Sequence, residues 1–312
     1  MLHKSDARMS QYRFLICLAM IIGLFLGYGM FPSADDKPFQ RSTTTVPVQA
    51  ESHSPVVTQP NIILVVVDSL RADHVSAYGY GRQTTPYLDA WVAAEGARFA
   101  DATTTAAWTS PANAATFTGI RSARLGLRWD TPGTVLPADV HTLAEYLHDA
   151  GYYTVGFVHS VIGTSLGFAQ GFDLYRSSWP TEPGRWDKVS AQQINEGMTS
   201  WLGETWIPLQ SQQPLFLLLY YFDPHTWYEP PSPYNTLYDA TYTGALTGEV
   251  FQHGKDVLSG QIVPSPRDTE HLIALYDGEI TYWDTQFGQL MQHLQSSQIL
   301  QQTTSLKTFI WC

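Results

Sequence analysis

The sequence predicts an α/β fold in which a mainly parallel sheet is flanked by helices. Residues 62–67 form a continuous run rich in β-branched side chains, typical of a strand buried on both faces, and residues 215–222 form a second apolar run. Helical patterns at 142–151 and 190–202 alternate with these strand patterns, which favours parallel strands joined by helical crossovers. With 312 residues and no internal repeat, the chain is long enough to bury a substantial core.

Composition and charge exclude several classes of protein. The formal net charge of −11 and the lack of a basic patch argue against nucleic acid as a partner. No GxGxxG or Walker loop is present, so nucleotide binding has no support. The two cysteines, Cys17 and Cys312, do not suggest a disulfide framework, and no CxxC or HExxH zinc spacing occurs.

The N-terminal region has the pattern of a membrane anchor. Residues 1–13 carry three Lys or Arg residues and one acid, and residues 14–31 form an 18-residue run without charge. This pattern predicts a cytoplasmic N-terminus and a single-pass transmembrane signal anchor in the cell membrane, with the rest of the chain on the extracytoplasmic (periplasmic or extracellular) side. A cleaved signal peptide stays open, because residues 32–34 are a passable cleavage site. Residues 32–59, rich in Pro, Ser, Thr and Gln, predict a flexible linker to a folded domain at 60–312.

The first strand of the folded domain ends in a candidate site residue. Asp68 follows the run at 62–67, and open α/β sheets bind ligands at the carboxyl ends of their strands. Asp68 is therefore a candidate metal ligand or acid, and the alternative is that its side chain caps the next turn. Further along, Pro86 predicts the start of a helix that ends near Gly96. The inner face of this helix holds Leu88, Trp91 and Val92.

The next helix begins with a hydroxyl side chain. Thr109 precedes Ser110, a suitable helix cap, and Pro111, which suits the first helical position. The helix is predicted over 112–118 and ends at Gly119. A hydroxyl at a helix N-terminus lies among unpaired N–H groups and partial positive charge, which suits a phosphate or sulfate. The alternative is a capped surface helix without chemistry.

A short helix and a strand follow. The helix at 142–151 opens with a capping box formed by Thr142 and Glu145, and it precedes a strand at 152–158. Its inner face is predicted to hold Leu143, Tyr146 and Leu147.

The strand at 215–222 delivers a proline-rich loop at residues 223–231. The prolines stiffen this loop, so His225 has a defined direction at a strand end. A structural role and a catalytic role are both compatible with a histidine in this position.

The C-terminal part is predicted to be a loop at 232–268 and a long amphipathic helix at 270–298. The helix is indicated by apolar residues three and four positions apart. These are Tyr276, Ile280, Trp283, Phe287, Leu290 and Leu294. Its carboxylates Asp277, Glu279 and Asp284 are interpreted as a solvated or helix-packing set without chemistry. Residues 306–311 predict a last strand that enters the core.

Several short motifs of this domain together resemble a known family. In chain order they are Asn61–His74, Ala77–Tyr80, Thr85–Asp89, Trp108–Pro111, Phe117–Gly119, Thr142–Gly151, Phe222–His225 and Tyr276–Ile280. Over about residues 60–300, this series resembles the sulfatase family within the alkaline-phosphatase-like superfamily. The resemblance implies the corresponding fold, a sulfatase-like catalytic domain at 60–312 and an enzymatic ancestry.

The resemblance implies roles for three residues. Asp68 would bind a divalent cation (Ca²⁺, Mn²⁺, Mg²⁺ or Zn²⁺), and Thr109 would be the nucleophile on that cation. His225 would lie at the substrate and protonate the leaving oxygen or hold the substrate. This chain departs from the family at Ser69, where a second Asp is frequent, and at Asn113, where the Cys/Ser-x-Pro-x-Arg motif ends in Arg. Without that motif, formylglycine is not expected.

The implied function is metal-dependent hydrolysis of a sulfuric or phosphoric ester. The anionic ester substrate would be a sulfated or phosphorylated glycan, lipid or small molecule. A threonine nucleophile resembles the phosphatase and phosphodiesterase relatives, so a phosphoethanolamine- or phosphoglycerol-type headgroup transferase is an alternative. Two non-catalytic alternatives are a membrane-anchored pseudoenzyme that binds an anion without turnover and a tethered structural protein.

The resemblance also implies a C-terminally truncated domain. The family supplies further metal ligands, an Asp-His pair, after the strand that corresponds to 306–311, whereas the sequence ends at Cys312. We therefore expect an incomplete member of the family that is weakly active or inactive.

Overall fold

A five-stranded parallel sheet forms the centre of the domain. The computed structural model describes residues 59–127, 135–179, 189–207, 213–248, 256–257, 259–297, 299 and 308–311. The strands are β1 (Ile62–Val67), β2 (Tyr153–Val158), β3 (Leu174–Arg176), β4 (Leu215–Tyr221) and β5 (Thr308–Trp311). Their spatial order is β3-β2-β4-β1-β5, and each pairing is parallel. The predicted fold class, a mainly parallel sheet flanked by helices, is confirmed.

In the described part of the chain, three α-helices lie between β1 and β2, one between β3 and β4, and one between β4 and β5. They are α1 (Pro86–Glu95), α2 (Thr109–Thr118), α3 (Leu143–Asp149), α4 (Ala191–Trp201) and α5 (Pro266–Ser296). α4 continues into a π-helical turn at Leu202–Trp206. Capping boxes start α3 at Thr142, α4 at Ser190 and α5 at Ser265, where each side-chain oxygen accepts a backbone N–H that the helix leaves unpaired.

Both faces of the sheet are buried. In β1, Ile63, Val65 and Val67 pack into one apolar core with α4 and α5, whereas Leu64 and Val66 pack into a second core with α2 and α3. This explains why the run at 62–67 lacks a polar face, since neither side of the strand meets water.

The apolar face of α5 is as predicted, but its carboxylates are not solvated. Asp277 and Asp284 are 0% exposed and Glu279 is 1% exposed. The solvated interpretation is therefore wrong and the helix-packing alternative is confirmed. Asp284 accepts the backbone N–H groups of Tyr87 at 2.8 Å and Leu88 at 2.9 Å, so it caps the start of α1. Burial raises the pKa of Asp284 to about 7, against the opposing effect of these two hydrogen bonds.

The inner face predicted for α3 is wrong for two of its three residues. Leu143 is 37% exposed and Tyr146 is 62% exposed. The inner face holds Ala144, which belongs to the second core, and Leu147, which is half-buried against it as predicted. Ala144 and Leu147 are three positions apart and share the face toward the sheet, whereas Leu143 and Tyr146, also three apart, lie on the neighbouring face that meets water.

Three predicted segments lie outside the described residues. They are the cytoplasmic segment at 1–13, the signal anchor at 14–31 and the linker at 32–59, except for its last residue. In the part of the chain that the structure describes, none of the helices combines the length and the apolar character needed to cross a bilayer.

An ion-pair cluster ties the loop after β4 to the first turns of α5. Arg267 Nη1 donates to Asp239 Oδ2 at 2.6 Å, and His271 Nδ1 lies 2.9 Å from the same oxygen. The hydrogen bonds from Arg267 hold the pKa of Asp239 down at about 2, against the opposing effect of burial and with a further contribution from His271.

Asp239→Asn is expected to lower the free energy of unfolding by about 1 kcal/mol near neutral pH. The Asp239 carboxyl titrates near 3.8 without its partners and near 2 in the folded chain. Its stabilising effect is therefore complete above about pH 5 and is lost as the pH falls through the folded-state pKa. Urea unfolding of the unaltered chain and of Asp239→Asn at about pH 6 and about pH 3 measures the difference between their free energies of unfolding. A difference that is as large at the lower pH as at the higher pH would contradict this role of Asp239.

Candidate active site

Asp68 lies at the carboxyl-terminal edge of the sheet, directly after β1. The register of β1 on β4 pairs Val67 with Tyr221. The backbone N–H of Asp68 extends this ladder by donating to the carbonyl of Tyr221 at 2.9 Å. Asp68 is only 5% exposed. The pairing of two central strands therefore fixes the backbone of this carboxylate at the edge where α/β sheets bind ligands.

Thr109 meets Asp68 at this edge. It is the first residue of α2, and its Oγ1 donates to Asp68 Oδ2 at 3.2 Å. The structure thus brings together two of the three predicted site residues, which are 41 positions apart in the chain.

α2 begins earlier than the sequence predicts. Ser110 was expected to cap the helix and Pro111 to occupy its first position, but the helix starts at Thr109 with Trp108 as the N-cap residue. Pro111 is tolerated in the third position because the first-turn N–H groups have no partner within the helix. No side chain caps this end, and Gly119 ends the helix with a φ of +68°, as predicted. The backbone N–H groups of Thr109 and Ser110 are thus suited to an anion beside the Thr109 hydroxyl.

Asp68 accepts hydrogen bonds from three hydroxyl groups. Besides Thr109, Tyr220 Oη donates to Oδ2 at 2.7 Å and Ser69 Oγ donates to Oδ1 at 2.9 Å. Among the described residues, no Lys, Arg or His side chain forms an ion pair with Asp68. A nearly buried carboxylate with three O–H donors and no basic partner is well suited to bind a cation.

Sequence reasoning missed two residues of this site, Tyr220 and Asn113. Asn113 Nδ2 donates to the backbone carbonyl of Thr109 at 2.8 Å and to Tyr220 Oη at 3.2 Å, and both residues are 0% exposed. Asn113 offered a signal, because it is an amide flanked by alanines within a helix. Tyr220 offered none, because it continues the apolar run of β4.

A tyrosine of α5 holds the turn that follows Asp68. Ser69 has a φ of +57°, a left-handed conformation that is uncommon for residues other than glycine. Tyr276 Oη donates to the Ser69 carbonyl at 2.7 Å and accepts the backbone N–H of Arg71 at 2.9 Å. Burial raises the pKa of Tyr276, so its hydroxyl keeps the proton that this arrangement requires.

His225 lies in the loop after β4, stacked on Phe222 with the ring centroids 4.1 Å apart. His159, which follows β2, also stacks on Phe222 at 4.1 Å. The Nδ1 of His225 is 3.1 Å from both the carbonyl oxygen and the Oγ1 hydroxyl of Thr226, so Thr226 occupies Nδ1 and Nε2 is left for a ligand. In the described part of the chain, no hydrogen bond joins His225 to Asp68 or Thr109. Its catalytic role stays a prediction.

Comparison with known proteins decides the family. Residues 60–304 match the family model described as Sulfatase. The chain belongs to the sulfatase family. This sulfatase-family chain is 31% identical over 150 residues to an arylsulfatase of Hemicentrotus pulcherrimus, an alignment that covers 43% of the chain and 27% of that relative. It is also 31% identical over 114 residues to an N-acetylgalactosamine-6-O-sulfatase of Bacteroides thetaiotaomicron, covering 35% of the chain and 22% of that relative.

A solved structure of similar fold is the phosphonate monoester hydrolase of Agrobacterium radiobacter. Its TM-score is 0.60 at 20% sequence identity, and the likeness covers 81% of the sulfatase-family chain and 62% of the hydrolase. The fold is thus that of the alkaline-phosphatase and sulfatase group. The chain spans about a quarter of the length of the curated relatives that it matches.

The donor set of this sulfatase-family site fits a hard divalent cation but is small. Asp68 supplies a carboxylate and Thr109 a hydroxyl, whereas such cations take about six oxygen ligands. Within the described ranges, no group of three or more His, Cys, Asp or Glu side chains is placed to hold a metal ion. Substrate oxygens and water would have to complete the coordination.

Proposed function

We propose that this sulfatase-family domain binds a sulfuric or phosphoric ester at Asp68 and hydrolyses it with Thr109 as the nucleophile. One observation carries the proposal: the Thr109 hydroxyl donates at 3.2 Å to a nearly buried carboxylate that has no basic partner among the described residues. The proposed cofactor is a divalent cation, Ca²⁺, Mn²⁺, Mg²⁺ or Zn²⁺, in a family that is generally metal-dependent.

The hydrogen bond to Asp68 orients the Thr109 hydroxyl for attack. Its hydrogen is directed at the carboxylate, so the oxygen lone pairs are left for the sulfur or phosphorus atom of the ester. Attack would pass the hydroxyl proton to Asp68 and form an ester on Thr109 as the alcohol leaves; water would then release sulfate or phosphate, and the proton would return to the Thr109 oxygen. When bound, a divalent cation would supply Lewis acidity that favours the ionised hydroxyl and offsets the charge of the anionic ester.

Two further groups would contribute to this chemistry. The N–H groups in the first turn of α2 would donate to the non-bridging oxygens of the ester and stabilise the charge that develops on them. With the Thr226 hydroxyl donating to Nδ1, the Nε2 of His225 would carry the ring proton and would give it to the departing alcohol oxygen.

The names of the relatives support a sulfated substrate. One relative is called an arylsulfatase and the other an N-acetylgalactosamine-6-O-sulfatase, so a sulfated glycan is our first candidate. This chain has Thr109 where sulfatases have Cys or Ser, so phosphorylated glycans, lipids and small molecules are further candidate substrates. For the same reason, transfer of a phosphoethanolamine- or phosphoglycerol-type headgroup is an alternative reaction.

A second function, anion binding without turnover, is favoured by one observation. Among the described residues, no group of three or more His, Cys, Asp or Glu side chains surrounds this site, so a cation would have fewer protein ligands than firm binding needs.

The proposed location is the extracytoplasmic side of the cell membrane. This proposal depends on the uncharged run at 14–31, the basic residues before it and the polar linker at 32–59.

Turnover of small esters by the full chain tests the proposed function. An aryl sulfate, an aryl phosphate and an aryl phosphonate monoester are each assayed with added Mn²⁺, Ca²⁺, Mg²⁺ or Zn²⁺ and again with excess chelator. We expect slow turnover that requires the cation and stops with the chelator. Binding of sulfate or phosphate without turnover would select the anion-binding function, and neither binding nor turnover would contradict both.

A further inference from the structure

A series of buried hydrogen bonds leads into Asp68 from two residues that the proposed reaction does not use. Asn113 Nδ2 donates to Tyr220 Oη at 3.2 Å, and Tyr220 Oη donates to Asp68 Oδ2 at 2.7 Å. The same Nδ2 donates to the backbone carbonyl of Thr109 at 2.8 Å. Asn113 thus contacts both the residue that carries the proposed nucleophile and the tyrosine that reaches the proposed metal ligand.

Chemistry fixes the direction of this series. An ionised carboxylate only accepts, so the single hydroxyl hydrogen of Tyr220 goes to Asp68 and its oxygen accepts from Asn113. The carbonyl of Thr109 also only accepts, so the amide must present its NH₂ group to both partners. The Oδ1 of Asn113 is then buried without a hydrogen-bond partner among the described residues. A buried unpaired acceptor costs free energy, and the two bonds from Nδ2 maintain this orientation despite that cost.

We propose that Asn113 and Tyr220 are positioning residues that set the direction of the hydrogen bond into Asp68 and so hold its carboxylate beside Thr109 for one cation. This inference rests on the function proposed for that site. Asn113 belongs to α2 and Tyr220 to β4, so one buried amide links the helix that carries Thr109 to the strand that pairs with β1. Both residues act through Asp68 and need not touch the ester.

Tyr221 provides a matched control for Tyr220. It is the next residue of β4, it is also 0% exposed, and its Oη donates to Asn195 Oδ1 at 2.6 Å. Tyr220 packs in the second core and Tyr221 in the first, on opposite faces of the sheet. Tyr220→Phe and Tyr221→Phe therefore each delete one buried tyrosine hydroxyl bonded to a side chain, but only Tyr220→Phe removes a donor from Asp68.

The first test is Mn²⁺ affinity of the full chain, measured by electron paramagnetic resonance alongside thermal unfolding. Tyr220→Phe is expected to weaken Mn²⁺ binding about tenfold, whereas Tyr221→Phe changes it less than about twofold although both lower the Tm. Asn113→Asp is expected to weaken binding as well, because an acceptor at position 113 competes with Asp68 for the Tyr220 hydrogen. Unchanged affinity in Tyr220→Phe, or equal losses in the two tyrosine variants, would overturn the inference.

The second test needs no metal. Tyr220 is 0% exposed, so we expect its hydroxyl proton to exchange slowly and to give a downfield proton NMR signal, which is assigned by its loss in Tyr220→Phe. We expect this signal to shift in Asp68→Asn and in Asn113→Asp and to persist unshifted in Tyr221→Phe. A signal whose chemical shift is the same in Asp68→Asn and Asn113→Asp as in the unaltered chain would overturn the inference. If the unaltered chain binds no Mn²⁺ but the signal shifts as expected, the proposed function fails and the positioning of Asp68 stands.

Discussion

Thr109→Ala is expected to lower cation-dependent ester turnover by about 10³-fold, to the uncatalysed background. The hydroxyl is the group that attacks in the proposed reaction, and its oxygen is also the second protein ligand proposed for the cation. This substitution would leave the N-terminus of α2 intact, because the Thr109 hydroxyl donates to Asp68 and the N-cap residue is Trp108. Steady-state assays with an aryl sulfate and an aryl phosphate measure the loss.

Two variants control for effects on the helix. Thr109→Ser keeps a hydroxyl at the same position and is expected to retain most of the turnover. Thr116→Ala removes a threonine of the same helix whose Oγ1 donates to the carbonyl of Ala112 at 3.1 Å, and it is expected to leave turnover unchanged. Turnover that survives in Thr109→Ala would show that another group attacks the ester.

Asp277→Ala is expected to have the largest effect on stability, a loss of about 3 kcal/mol. Asp277 is fully buried on α5 and accepts from three side chains: His74 Nδ1 at 2.6 Å, Tyr80 Oη at 2.7 Å and Arg82 Nη1 at 2.7 Å. Without the carboxylate, these donors lose their acceptor and Arg82 loses its counter-charge. We expect the lower end of the range of about 3–5 kcal/mol for broken buried pairs, because the Arg82 side chain is 35% exposed and can turn to water.

Urea unfolding near neutral pH measures this loss. Glu270→Ala is the matched control, because it removes an exposed carboxylate from the same helix and is expected to change the free energy of unfolding by less than about 0.5 kcal/mol. Equal effects of the two substitutions would contradict the role given to Asp277. Folded Asp277→Ala protein is expected to keep its turnover, in contrast to Thr109→Ala.

Elements defined by continuous apolar patterns could be predicted from the sequence. The strand at 62–67 appears with the predicted bounds, because a strand buried on both faces requires an uninterrupted apolar run. The long helix, by contrast, starts at Pro266 and not at Glu270. Its first turn is specified by a polar capping box between Ser265 and Asp268, which lies outside the apolar periodicity.

The site could be predicted only in part. Asp68 and Thr109 were recognisable because a strand end and a helix start are the places where ligands are bound. Tyr220 was not recognisable, since its place beside Asp68 depends on the pairing of β4 with β1 and on the face that each tyrosine of β4 presents. Pairing of distant strands is a tertiary property that a local pattern does not specify. The burial of Asp277 similarly depends on partners about 200 positions away.

The most direct test of the central claim is Mn²⁺ titration of the full chain beside Asp68→Asn, with Asp73→Asn as the control at an exposed carboxylate five positions away. We predict weak binding of one Mn²⁺, with a Kd of about 10⁻⁴–10⁻³ M, by the unaltered chain and by Asp73→Asn. Asp68→Asn is predicted to lose this binding while its unfolding shows that it remains folded. Equal Mn²⁺ binding by Asp68→Asn and the unaltered chain would contradict the claim that Asp68 holds the cation for Thr109.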